Sequence, residues 1–316
     1  MNSRGIYAAL TLAMLFWGLN VIAIKLLVAA YPTLTITAIR VTIAGLCVLL
    51  YTWWAEGFRR MNGKEWLYLS LAALTGIFGH QFLLAFGLKA TTGSNGSLIL
   101  SLNPLTTAVL AFLFLGERLS KLRTIGIFLG FSGVLAIILK GAEGGLPTVH
   151  LGDLIVFLSM LLQSLSFLAL RNVVGTVSVN QVTSFSFLMG GAGLFLTAYG
   201  VERVSPFSVM GMITPPMWLL LLGSAFLATA LGGWIWNRGI RELGPGQTAV
   251  FINMTPFYGL LGSALFLGET IGVTHVIGFV LIVAGVLLGS GWYERRKATP
   301  KLDIDQKNSQ LYNEAK

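Results

Sequence analysis

Ten stretches of this chain are each about long enough and apolar enough to cross a lipid bilayer, which leaves it few folds to choose from. The runs cover residues 6–24, 34–54, 66–88, 94–115 and 122–139, then 151–170, 182–199, 217–237, 247–267 and 273–292. In lipid the backbone must satisfy its own polar groups, so runs of this length are expected to be helices. Charged residues make up only 10% of the chain, against roughly 25% in ordinary soluble domains. The first run ends in Asn20 and Lys25 rather than in small cleavage-site residues, and reads as a retained span rather than a signal peptide. Cys47 is the sole cysteine, which excludes an intramolecular disulfide and leaves a small buried hydrophobe.

The net charge of +9 does not point to nucleic acid, because the basic residues flank apolar runs in short loops and crowd the C-terminal tail. An even number of spans puts both termini on one side. With the termini inside, sixteen basic residues lie at the inner face and four (Lys25, Lys89, Lys140, Arg203) at the outer face. That bias predicts cytoplasmic termini and residence in the cytoplasmic membrane, with the lipid bilayer as the large partner. Residues 294–316 are polar and predicted to be a disordered cytoplasmic tail.

The pentapeptide LFLGE occurs at Leu113–Glu117 and again at Leu265–Glu269, an offset of 152. At the same offset Pro104 falls on Pro256, Ile125-Gly126 on Ile277-Gly278, and Gly133-Val134-Leu135 on Gly285-Val286-Leu287. The chain therefore divides into repeats, 1–145 and 146–293, of five spans each. Five is odd, so the second copy enters the membrane from the opposite face. The expected fold is an all-α integral membrane protein of ten transmembrane helices in two inverted repeats, an arrangement found in many secondary transporters. Pro104 and Pro256 are expected helix breaks near the midplane, where freed carbonyls must face protein or a polar cavity. A packing kink without ligand contact is the alternative.

Residues 14–25 (MLFWGLNVIAIK), 39–46 (IRVTIAGL), 93–137 and their copy at 244–288 resemble the EamA branch of the drug/metabolite transporter superfamily. The resemblance covers about residues 5–292 and implies a ten-helix metabolite exporter. In such a protein helices one to four and six to nine would surround a central cavity, with the fifth and tenth peripheral. Substrates across that family include amino acids, their derivatives and other small metabolites.

Polar residues within spans are expensive and tend to line cavities or join helices. The candidate substrate-binding set is Trp17, Asn20, His80, Gln81, Asn95, Asn103, Gln163, Ser166, Trp234, Asn237, Asn253 and Tyr258, with Ser159 on the same face as Gln163. Amides and indoles of this kind suit small polar or aromatic solutes. Arg40 is the one strong charge inside a span. It either meets an anionic group or serves structure by snorkelling or by binding carbonyls. Glu117 and Glu269 end helices, where an acid opposes the macrodipole, so helix stability does not explain them. A salt bridge that differs between two states would, and solvated loop charge is the alternative. Gly126/Gly130 and Gly285/Gly289 have the small-xxx-small spacing of close helix contacts, within the bundle or between copies.

No acid lies deep in a span, so uniport or exchange down the substrate gradient is favoured. Proton antiport through His80, the one mid-span group titrating near neutrality, is the alternative. His-Glu-x-x-His, Gly-x-Ser-x-Gly and paired cysteines are absent from the sequence, so the usual hydrolytic and metal chemistries lack their residues and no cofactor is expected. A membrane-embedded enzyme or a non-transporting receptor is the rival class.

Overall fold

The computed structural model describes residues 3–138, 150–173, 176–243, 248 and 251–289, and among these it contains helices and short turns but no strand. Ser3–Ala30 (α1), Thr33–Ala55 (α2), Gly63–Lys89 (α3), Gly93–Leu115 (α4) and Lys121–Ile138 (α5) come first. Leu151–Leu170 (α6) and Val179–Val201 (α7) follow. After a short helix, Pro206–Met212, α8 begins at Pro215 and runs to Leu243. Ile252–Leu267 (α9) and Val273–Gly289 (α10) complete the order. Seven of these helices are long and apolar enough to cross a membrane, and α9 and α10 are shorter apolar helices. Exposed large hydrophobics such as Trp54, Phe128, Leu196 and Leu219 are what a lipid-facing exterior requires. The expected tail at 294–316 lies outside the described residues.

Helix starts follow local capping rather than the apolar runs alone. α3 begins at Gly63, ahead of its apolar stretch, because Asn62 and Glu65 form a capping box: Glu65 N donates to Asn62 Oδ1 (2.9 Å) and Asn62 N to Glu65 Oε2 (2.8 Å). The paired prolines start helical segments instead of kinking continuous ones. α4 breaks at Ser101–Leu102 and restarts with Pro104 in its first turn; α9 opens as a 3₁₀ turn, Ile252–Met254, and becomes α-helical with Pro256 in its first turn. There the missing proline N–H has no intrahelical partner to lose. Two further interruptions carry no proline: π-helical segments at Ala73–Gly79 in α3 and Ser224–Leu231 in α8.

Eight helices form a closed ring in which α2 packs on α7, α7 on α3, α3 on α6, α6 on α4, α4 on α9, α9 on α1, α1 on α8, and α8 on α2. The α5–α10 pair lies outside this ring against α4. That pair depends on glycine. A Cβ on Gly126 would stand 2.6 Å from Gly285 O, and one on Gly285 2.6 Å from Gly126 O. The small-xxx-small pairs thus pack within one chain. Leu105, fully buried one residue after Pro104, fills the space beside Gly130 and Gly289.

The two ends of the ring differ. At one, the Glu269 end, the closing half of α3, His80–Lys89, packs across the ring on α1 and α2. At the opposite, Glu117 end the final segment of α8, Gly232–Leu243, makes no comparable packing with α6 or α7 among the described residues.

Candidate functional site

Polar side chains are spread along the middle of the ring, roughly 10–23 Å along their helices from the Glu269 end at about 1.5 Å per residue. Trp17 Nε1 donates to Ala228 O (2.8 Å), and Ser224 Oγ donates to Asn20 Oδ1 (2.5 Å). Both partners sit in the π segment of α8, whose widened turn loosens carbonyls from the regular ladder. On the other side of the ring Asn103 Nδ2 donates to Gln163 Oε1, Ser164 Oγ to Asn103 Oδ1 (3.2 Å), and Ser166 Oγ to Gln163 O (2.7 Å). Ser166 lies against Gly76, inside the π segment of α3. His80 Nδ1 stands 3.1 Å from Ser159 O and 2.8 Å from its Oγ. Arg40 Nη2 donates to Gln81 Oε1 (2.5 Å).

The structure thus gathers Trp17, Asn20, His80, Gln81, Asn103, Gln163 and Ser166 of the expected set into one belt, with Arg40 beside them. Asn95 is elsewhere. It lies in the first turn of α4 at the Glu269 end, where its Nδ2 donates to both oxygens of Asp153 (3.2 and 3.1 Å) and its Oδ1 meets His275 Nε2 (3.1 Å). Trp234 lies toward the Glu117 end and donates through Nε1 to Tyr51 OH (3.1 Å). Tyr258 packs its Cβ beside Gly18, where α1 and α9 approach closely. Asn253 sits in the 3₁₀ turn of α9, and the side chain of Asn237 lies outside the described residues.

Arg40 is 3% exposed, and among the described residues no carboxylate lies within 4 Å of it. An arginine at the centre of a membrane helix costs about 2.5–3.5 kcal/mol on insertion scales. One neutral amide offsets little of that. Arg40 does not snorkel, since its guanidinium turns inward to Gln81 from α2's contact with α3. On α2 the residues following Arg40 on the same face are Ala44, Cys47 and Tyr51. Cys47, Val48 and Tyr51 form one wall of a cavity of about 290 Å³, closed by Phe226, Ala230, Leu231 and Trp234 of α8 and by Asn180. The cavity lies toward the Glu117 end, and Arg40 lies about 10 Å beyond Cys47 along α2.

The two repeated glutamates behave differently. Gly116 and Gly268 end α4 and α9 alike, with φ of 66° and 65°, a left-handed conformation that glycine adopts without steric cost. Glu269 reaches the N-terminus of α4, where its carboxylate accepts from Gly93 N (2.7 Å), Ser94 N (2.9 Å) and Ser94 Oγ (2.7 Å). Lys25 stands within electrostatic reach of Glu269 and donates to the carbonyls of Leu88 (3.1 Å) and Thr91. Thr91 donates in turn to Asp153. Glu117 instead forms an exposed ion pair with Arg171. Glu202 and Glu56 tie α2 to α7 at opposite ends: Glu202 accepts from Leu34 N (2.8 Å), Thr35 N (2.9 Å) and Thr35 Oγ1 (2.7 Å), and Glu56 from Asn180 Nδ2 (2.6 Å). In the sequence Glu56, Asp153 and Glu202 read only as loop or helix-end acids. The signal that marks them is their place at the junction of a helix end with another helix start, which needs the fold to be seen.

The EamA-like transporter family model matches residues 4–139 and 150–291, nearly the whole length. The chain belongs to the EamA-like transporter family. Among its relatives are the "Uncharacterized transporter YyaM" of Bacillus subtilis (strain 168), 31% identical with 92% of this chain and 95% of that protein covered. A "Probable terminal-alkyne amino-acid exporter" of Streptantibioticus cattleyicolor is 23% identical, with 89% and 91% covered. One solved crystal structure superposes with a TM-score of 0.64 at 20% identity, covering 94% of this chain and 99% of the other, which shows a shared fold. This EamA-like transporter is accordingly a multi-pass membrane protein with a small-molecule substrate, the plasma membrane being the usual location of its kind. Family and relatives' names mark a transporter, not an enzyme.

Proposed function

We propose that this protein exports small metabolites, amino acids or related polar and aromatic compounds, by alternating access through the ring. Its ten helices span the membrane as two inverted repeats, with both termini in the cytoplasm. The Glu269 end then faces outward and the Glu117 end the cytoplasm.

The observation that carries this reading is the unequal closure of equivalent ends. The ring maps onto itself when the first five helices are exchanged with the last five in order. Particular contacts exchange as well: a Cβ on Gly87 would meet Val156 and one on Gly239 would meet Leu10, where Gly87 and Gly239 are 152 residues apart and Leu10 and Val156, like Lys25 and Arg171, are 146 apart. Glu269 caps α4 while its counterpart Glu117 holds Arg171, the counterpart of Lys25. A ring built from matched halves, latched at one end and open at the other, is what a carrier resting in its inward-open state requires. The belt supplies hydrogen bonds from both halves along the middle of the ring, and the amino-acid exporter among the relatives is consistent with an amphiphilic solute.

The test is counterflow in proteoliposomes loaded with amino acids and related metabolites, with and without an imposed pH gradient. Saturable exchange without a gradient, lowered by Asn103→Ala and Trp17→Phe, is expected. Transport that requires the gradient would overturn uniport or exchange and direct attention to His80. The absence of exchange for every compound would sink the export reading.

A further inference from the structure

Among the described residues the belt contains one full charge and no counter-charge. Arg40 is buried, makes its side-chain hydrogen bond to a neutral amide, and leaves four of its five N–H donors for another acceptor. The acids of the surrounding helices are committed at the ends: Glu202 on the start of α2, Asp153 on Asn95 and Thr91, Glu269 on the start of α4. None is free to move to Arg40 without breaking those bonds. His80, within electrostatic reach of Arg40 and hydrogen-bonded to Ser159, adds a polar wall but no negative charge. Below Arg40 on the same helix face, after the small Ala44, begins the cavity bounded by Cys47, Tyr51, Phe226 and Trp234, an apolar and aromatic chamber. Its polar wall atoms are already paired, Trp234 with Tyr51 and Asn180 with Glu56.

We infer that Arg40 and Gln81 form a carboxylate-binding site, and that the ligand is a monoanionic carboxylate whose apolar or aromatic body occupies the chamber along α2. This rests on the transport reading and narrows its substrate class. A single carboxylate neutralises the guanidinium through a two-pronged pair, the geometry arginine offers best. An added ammonium would bring back an unpaired positive charge in lipid, with only amide oxygens to receive it. Zwitterionic amino acids are therefore the weaker ligands, and acids lacking the free amine the stronger ones.

The test uses three probes with one body on the purified full-length protein in detergent: 3-phenylpropionate, 3-phenylpropionamide and L-phenylalanine, with binding read by calorimetry and thermal shift. The acid is expected to bind at least tenfold more tightly than the amide or the zwitterion. Arg40→Gln should abolish that preference, and Arg40→Lys should keep part of it. Gln81→Glu supplies an internal carboxylate, so it should abolish acid binding while holding or raising the melting temperature, which separates site loss from misfolding. Equal binding of acid and amide, or acid binding that survives Gln81→Glu, would overturn the inference. Counterflow of the same three probes separates the two readings: transport of the amide undiminished in Arg40→Gln leaves export standing and removes the anion site. Acid binding that depends on Arg40, with no counterflow of any probe, keeps the site and removes export.

Discussion

On the proposed alternating-access reading, replacing Glu269 by alanine should shift this transporter toward an outward-open state. The side chain accepts three hydrogen bonds at the start of α4, two of them from backbone N–H groups of the buried residues Gly93 and Ser94. Loss of a helix cap costs about 0.5–2 kcal/mol. Hydrogen bonds to a charged acceptor, with the macrodipole behind them, move the value to the upper part of that range. About 2 kcal/mol of closure energy, lost in one state and absent from the other, changes the ratio of the two populations by about 30-fold. Glu269→Gln keeps one acceptor and the shape, so about 1 kcal/mol and roughly fivefold is expected.

The reporter is Ser97→Cys in a Cys47→Ser background. Ser97 is 2% exposed and packs on Gly259 between α4 and α9, beneath the latch. While the outward-open state is the minor one, the rate of labelling by an impermeant maleimide added outside is proportional to its population. A rise on the order of 10–30-fold in Glu269→Ala is expected. An unchanged rate, with the protein folded, would refute the idea that this carboxylate holds the end shut.

Three further outcomes follow from the geometry. Gly126→Leu places side-chain atoms where Gly285 O and Gly289 already lie, and overpacking of about 1–3 kcal/mol should lower the melting temperature in detergent and leave aggregated protein on size exclusion. Asn103→Ala removes the partner of Gln163 and Ser164, yet interhelical hydrogen bonds in membranes average about 0.6 kcal/mol, so the melting point should hold while the KM for counterflow rises several-fold. Arg171→Ala breaks an ion pair whose side chains are 62% and 41% exposed, and thermal stability should be unchanged at both low and high salt.

The helical, membrane-embedded character was legible because it rests on run length and charge scarcity, which need no tertiary information. The prolines were legible as breaks, although their part as first-turn residues depends on where the preceding turn stops. The π segments were not legible. Ala73–Gly79 and Ser224–Leu231 contain ordinary helix-compatible residues, and the contacts at their widened turns come from distant helices, α6 and α1: Ser166 on Gly76, Asn20 on Ser224. Asn95 resembled the other amides in sequence, but its Asp153 and His275 partners come from α6 and α10, far along the chain. Glu269 carried a correct warning, an acid at the wrong end of its own helix. Its reason lies in the start of another helix, 176 residues earlier.

The helix pairs that join the two proposed repeats do not share the work equally. α2 and α7 are tied at both ends, by Glu202 on Leu34 and Thr35 and by Glu56 on Asn180, with Gln181 adding bonds to Arg59 N (3.1 Å) and Arg59 O (2.8 Å). For α4 and α9 the structure shows the Glu269 tie, while Glu117 faces Arg171. A rocking bundle needs one pair that keeps its contact and another that exchanges it, so α2–α7 is the proposed axis and α4–α9 the proposed gate. Cross-links distinguish them. A Cβ on Gly45 would lie 3.0 Å from Phe187 Cβ, close enough that a small backbone adjustment lets Gly45→Cys and Phe187→Cys form a disulfide across α2–α7. Gly93→Cys with Ser263→Cys does the same across α4–α9, where a Cβ on Gly93 would stand 2.7 Å from Ser263 Oγ. In a Cys47→Ser background the first cross-link should leave counterflow within about twofold, and the second should stop it until reductant is added. Reversible arrest by the α2–α7 cross-link would show that the axis itself must separate, and the gate would then have to be sought elsewhere in the ring.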